Sequence, residues 1–133
     1  MNLSSGIDLI EIDRIQKALE RHGERFLKRI FTDAELAPLR SKRIANAEPR
    51  VIAAELAARF AAKEACSKAL GTGIGPVSWK DMEVMNEPSG KPTLRLSGRA
   101  AEVAGFLGYT TWSVSLTHSR DTAAAVVVCL GED

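Results

Sequence analysis

A chain of 133 residues, 45% apolar and 26% charged, is long enough to bury a core and too apolar to stay disordered. A formal net charge of +1 and an aromatic content of 5% argue against nucleic-acid binding, whether by bulk charge or by base stacking. No apolar run approaches the roughly 20 residues that cross a bilayer, so no membrane association is expected.

The elements read as follows in chain order. Residues 3–10 alternate, with Leu3, Ile7 and Leu9 on one side and Asp8 on the other, as in a short strand. The period then becomes helical: Ile12, Ile15, Leu19, His22, Phe26 and Ile30 recur at spacings of three and four, with a break into two helices expected at Gly23. On that stripe His22 reads as a packed histidine rather than a ligand. Thr32-Asp33-Ala34-Glu35 is a capping box opening a further helix, which Pro38 should shorten or kink. Residues 50–70 are the strongest helix, alanine-rich, with Pro49 at the start and Gly71 past the end. A glycine loop at 71–76 follows, then a strand from Trp79 to Met85, a turn at Pro88-Ser89-Gly90 and a strand at 93–96. Ser97 caps a helix ending near Gly105–Gly108, and strands at 111–117 and 123–130 form a hairpin. Trp79 and Trp112 are expected in the core or an interface. Strands and helices mix without regular βαβ alternation, so the fold class is α+β, one domain spanning residues 1–133. Cys66 and Cys129 lie in apolar surroundings without metal-binding spacing, and the first residues carry no secretory leader, so the cytoplasm is the expected compartment.

The residues with chemical potential are Asp8 near a strand end and Glu64 with Lys68 on one face of the long helix. Arg59 and Lys63 add cations on the same helix, and the glycines at 71, 73 and 75 allow backbone to approach a ligand. Two carboxylates beside cations suit a hard divalent ion bound to phosphate. Composition and spacing alone reach no further than an α+β domain with a candidate phosphate site. A module docking acidic proteins through a basic helix face, or a sequence-independent nucleic-acid binder using the same face, remains open.

Five blocks in order carry a resemblance. Gly6-Ile7-Asp8-Leu9-Ile10-Glu11-Ile12-Asp13-Arg14-Ile15, Phe31-Thr32-Asp33-Ala34-Glu35-Leu36, the run from Arg59 to Gly75, Ser89-Gly90-Lys91-Pro92 and Ser115-Leu116-Thr117-His118-Ser119 resemble the holo-[acyl-carrier-protein] synthase family of phosphopantetheinyl transferases. The resemblance implies a compact α+β domain with an antiparallel sheet packed on a long central helix. It implies a transferase that moves 4′-phosphopantetheine from coenzyme A to an acyl carrier protein serine and releases adenosine 3′,5′-bisphosphate, in fatty-acid synthesis.

Position by position, the resemblance makes Asp8 and Glu64 the ligands of Mg²⁺. Glu64 and Lys68 become the catalytic groups, with Glu64 a candidate base for the serine. Arg59, Lys63, Lys68, Gly71, Pro92 and His118 fall to the coenzyme site, although His118 reads equally well as a polar residue closing a hairpin. It also implies a homotrimer with clefts between subunits. Arg14, Lys17, Arg21, Arg25 and Lys28, spaced by three and four opposite the apolar stripe, form a one-signed face suited to an acidic carrier protein.

Overall fold

The computed structural model describes residues 1–44 and 46–132. The elements are β1 (Asn2–Glu11), α1 (Ile12–His22), α2 (Glu24–Ile30), α3 (Asp33–Ile44), α4 (Pro49–Leu70), a 3₁₀ turn (Trp79–Asp81), β2 (Met82–Asn86), β3 (Pro92–Leu96), α5 (Gly98–Leu107), β4 (Tyr109–His118) and β5 (Thr122–Gly131). They form an α+β fold. One antiparallel sheet runs β1-β5-β4, and β2 and β3 make a separate antiparallel pair.

Small side chains explain how α4 becomes the central element. All its alanines are buried, and the sheet strand facing it presents Ala123, Ala125, Val127 and Cys129, each nearly or fully buried. Methyl-sized side chains on both surfaces let helix and sheet approach closely with few voids. The helix is 22 residues long, about 33 Å, so it crosses the whole fold. Pro49 at its first turn lacks a donor that would have no partner there anyway, and Gly71 ends it at φ 80, which L side chains avoid.

The capping box stands as read: Thr32 N donates to Glu35 Oε1 at 3.0 Å, and Glu35 N donates to Thr32 Oγ1 at 3.2 Å. The break after α1 falls at Gly23.

Four local expectations are corrected. Pro38 does not shorten α3, which runs 12 residues; Pro38 and Ala34, whose carbonyl lacks that N–H donor, are both exposed. Trp79 begins a 3₁₀ turn rather than a strand, because Ser78 and Asp81 close a capping box of their own, and β2 starts only at Met82. Ser97 stands before α5 but its side chain caps nothing; Asp81 Oδ2 accepts from Ala100 N at 3.4 Å instead. His22 is exposed, because α1 ends there and the apolar stripe resumes on α2 at Phe26 and Ile30.

The alternation along β1 has a consequence for assembly. Ser4, Gly6, Asp8 and Ile10 face α4, whereas Leu3, Ile7 and Leu9 point outward with 65%, 66% and 71% of their surface exposed. Val126 and Val128 of β5 continue that outer face. An antiparallel sheet with one wet side normally puts its apolar residues inward. Here the outer side of the sheet is apolar as well.

Candidate active site

The site lies along the seam between β1 and α4. Ser4 Oγ donates to the Ala69 carbonyl at 2.7 Å. Two residues on, Gly6 is pressed against the helix: a Cβ there would stand 1.9 Å from the Ala65 carbonyl oxygen. Two further on, Asp8 Oδ1 lies 3.0 Å from Lys68 Nζ, which also donates to the Ile7 carbonyl at 3.0 Å. The period-two alternation of a strand puts these three residues on one face. The missing side chain at Gly6 lets β1 come near enough for Asp8 to reach the helix.

Glu64 projects from the same turn of α4 as Lys68 and is partly buried. Its carboxyl is raised above the ordinary glutamate value, first by burial and next by the Asp8 carboxylate. Lys68 opposes the shift, hydrogen bonding with Asp8 adds to it, and Arg14 opposes it more weakly. Two carboxylates from distant parts of the chain therefore stand close enough to repel each other, with one ammonium between them and solvent.

This donor set fits a magnesium-like ion. Such an ion takes one or two carboxylates and leaves its other positions to phosphate oxygens and water. Among the described residues no three His, Cys, Asp or Glu side chains cluster into a cage.

The other predicted residues are placed differently. Lys63 is fully buried. Its Nζ donates to Glu35 Oε1 at 2.6 Å, to the Met82 carbonyl at 2.8 Å and to the Trp79 carbonyl at 3.1 Å. Burial lowers the proton affinity of this ammonium and Glu35 partly restores it. All three of its N–H groups are used inside the protein, which leaves none here for the coenzyme phosphates expected beside Lys63.

Arg59 is also buried, with Nη1 donating to the Glu55 carbonyl at 3.2 Å and Nε without a protein partner. Gly71 caps α4, its N–H donating to the Lys68 carbonyl at 3.0 Å, and leaves open space where a side chain would stand. Pro92 begins β3 opposite Asn86.

His118 ends β4 and lines an open cavity of about 510 Å³ with Asp13, Arg50, Val51, Ala54 and Asp121. It lies two strands from β1 at the same end of the sheet: Asp8 pairs with Ala125, and Ala125 with Leu116, two residues before His118, so the two backbones stand roughly 12 Å apart. Arg14, Lys17, Arg21, Arg25 and Lys28 are all exposed along α1 and α2.

Reading residues as motifs missed Glu35 as the partner of Lys63, because a capping glutamate gives no hint of an ion pair 28 positions away. It also missed the work of Gly6, although a glycine inside a strand signals a close backbone approach.

Comparison with known proteins places these features in context. A family model described as the 4′-phosphopantetheinyl transferase superfamily matches residues 4–127. A holo-[acyl-carrier-protein] synthase of Herpetosiphon aurantiacus is 47% identical, the alignment covering 97% of this chain and 99% of that protein. One from Solidesulfovibrio magneticus is 49% identical over 95% of this chain and 96% of its own. The crystal structure of Helicobacter pylori holo-[acyl-carrier-protein] synthase in complex with coenzyme A matches with a TM-score of 0.79 and 33% identity, covering 95% of this chain and 99% of that one. The Bacillus anthracis enzyme, in complex with CoA (3′,5′-ADP), matches with a TM-score of 0.75 and 37% identity, covering 97% of this chain and 96% of that one.

Proposed function

We propose, because this chain belongs to the 4′-phosphopantetheinyl transferase superfamily and within it to the holo-[acyl-carrier-protein] synthases, that it uses Mg²⁺ to transfer 4′-phosphopantetheine from coenzyme A to a carrier-protein serine. Adenosine 3′,5′-bisphosphate leaves. The observation that carries the Mg²⁺ assignment is the convergence of Asp8, Glu64 and Lys68 at the β1–α4 seam.

The chemistry follows from charge. The serine hydroxyl attacks the β-phosphorus of the coenzyme pyrophosphate, and both the reactant and the leaving group are anionic. Asp8 and Glu64 would hold the ion, which supplies positive charge to the pyrophosphate oxygens when bound. Lys68, already beside Asp8 and half exposed, adds a second positive charge and keeps its ammonium free to turn toward a phosphate. Glu64, acting through a metal-bound water, is also the candidate to take the serine proton, because direct ligation of the ion would lower the proton affinity of the carboxylate itself. Arg59, Gly71, Pro92 and His118 remain candidates for the rest of the coenzyme.

Contact with a second copy of the chain needs an exposed apolar surface. The exposed apolar outer face of β1 and β5 supplies the surface for such contact. We assign this assembly as a homotrimer with clefts between subunits, as in the resembling family. The basic face of α1 and α2 is assigned to an acidic acyl carrier protein and the pathway to fatty-acid synthesis. No helix among the described residues is long and apolar enough to cross a membrane. Two buried free thiols, Cys66 and Cys129, fit work in the reducing cytoplasm.

The test is direct. Protein, coenzyme A, Mg²⁺ and an apo carrier are mixed, and the carrier should gain about 340 Da, the transferred group. A carrier that binds but keeps its mass would end this reading.

A further inference from the structure

Lys63 and Glu35 form an ion pair with both side chains fully buried. Lys63 bridges α4 to the Trp79 and Met82 carbonyls. Glu35 accepts from Lys63, from Thr32 N at 3.0 Å and, through its other oxygen, from Val84 N at 3.0 Å. Three segments distant in sequence, the start of α3, the middle of α4 and the 79–84 stretch, are thus joined at one point. That point is one residue from Glu64.

Ser4 and Gly6 touch the backbone of α4 at the β1 seam, but its side-chain packing gives little resistance to rotation. Its buried surface is mostly alanine, and single methyl groups make shallow ridges that do not define one rotational setting. Charged hydrogen bonds to fixed acceptors do define one. The setting matters because side-chain ends lie roughly 5–6 Å from a helix axis, so a turn of about 10° moves a carboxylate by about 1 Å. An error of that size at a reacting centre costs on the order of 10²-fold in rate. A buried polar contact that fixes register at some expense in stability is a recognised use of such pairs.

We infer that the Lys63–Glu35 pair is a positioning device that sets the rotation of α4, and through it the approach of Glu64 and Lys68 to Asp8. Lys63 touches neither the coenzyme nor the ion. This rests on the assignment of Asp8 and Glu64 to a divalent ion.

The test uses the double variant Glu35→Gln/Lys63→Met. It removes both charges together and so avoids a lone buried one, while the amide oxygen can still accept from one of the two backbone N–H groups that Glu35 serves. Far-UV circular dichroism and a cooperative melt establish the fold. Mn²⁺ binding is then read by water-proton relaxation, and transfer by the carrier mass shift. The expected result is a folded protein whose Mn²⁺ affinity falls about tenfold and whose kcat falls 10- to 100-fold, with the KM for carrier protein unchanged. A folded double variant with Mn²⁺ affinity and kcat within twofold of the parent overturns the inference. Should it fail to fold, Glu35→Asp, which keeps both charges and shortens the reach to Lys63 by one methylene, decides by the same two readouts, and parental values for both overturn it. Asp8→Asn in the parent serves as the control. If it leaves Mn²⁺ affinity intact, the ion assignment fails, a result distinct from failure at Lys63.

Discussion

Burial and the charge of Asp8 both act on the Glu64 carboxyl, and Lys68 balances them only in part. The excess negative charge is what a divalent ion would neutralise. Glu64→Gln or Asp8→Asn should each lower the transfer rate at least 10²-fold at saturating coenzyme A, about 2.7 kcal/mol of barrier, as followed by the carrier mass shift. Near-parental rates for either variant would remove that residue from the ion site. Gly6 makes a sharper case, since it carries no chemistry. In Gly6→Ala the new methyl would meet the Ala65 carbonyl at 1.9 Å, and that oxygen belongs to helix backbone and cannot swing aside. The strand must lift away, taking Asp8 with it. We expect a loss of roughly 1–3 kcal/mol in urea unfolding, the usual cost of overpacking, together with weaker ion binding. A variant equal to the parent in both would show that the seam tolerates the movement. The Asp8–Glu64 pairing could be reached from the resemblance at the residue level. The Lys63 role could not, because spacing says which residues share a helix face and nothing about which side of the helix is buried.

At the scale of elements, α1 and α2 divide their surfaces cleanly. Ile12, Ile15 and Ile30 are buried and Leu19 and Phe26 pack against the core, while Arg14, Lys17, Arg21, Arg25 and Lys28 stay in solvent. That face is continuous with the cluster, since Arg14 is near enough to influence Glu64. Reversing Arg21 and Arg25, which lie farther along the face than Arg14, to Glu should raise the KM for carrier protein several-fold and leave coenzyme A binding by calorimetry unchanged. Equal damage to both substrates, or an unchanged KM, would detach the basic face from carrier recognition. The helical period and the one-signed charge were plain in the sequence. The position of Trp79 was not, because a 3₁₀ turn held by Ser78 and Asp81 and a strand beginning with an aromatic residue look alike as a string of residues.

For the whole molecule, the two sides of the β1-β5-β4 sheet are the central fact. One is covered by α4, the other is an apolar surface including Leu3, Ile7, Leu9, Val126 and Val128. If a second copy covers it, Val128→Lys should keep the protomer folded, because Val128 is already 37% exposed, yet dissociate the assembly. Light scattering should report the smaller mass, circular dichroism an intact fold, and the mass-shift assay a large loss of transfer. An undissociated variant, or full activity in a dissociated one, would mean that this face is not the working interface.

The sequence by itself determined what depends on near neighbours along the chain: the helical and strand periods, the capping box at Thr32, the stop at Gly71 and the basic face of α1. These follow from hydrogen-bond geometry and side-chain period within a few residues. Only the tertiary structure decided what depends on residues brought together from afar. It showed the inward turn of Lys63 onto Glu35 and the contact of Gly6 with Ala65 that sets Asp8 against Lys68. The physical reason is that burial and electrostatic pairing are properties of a position in space, and the chain alone fixes positions only over a turn or two.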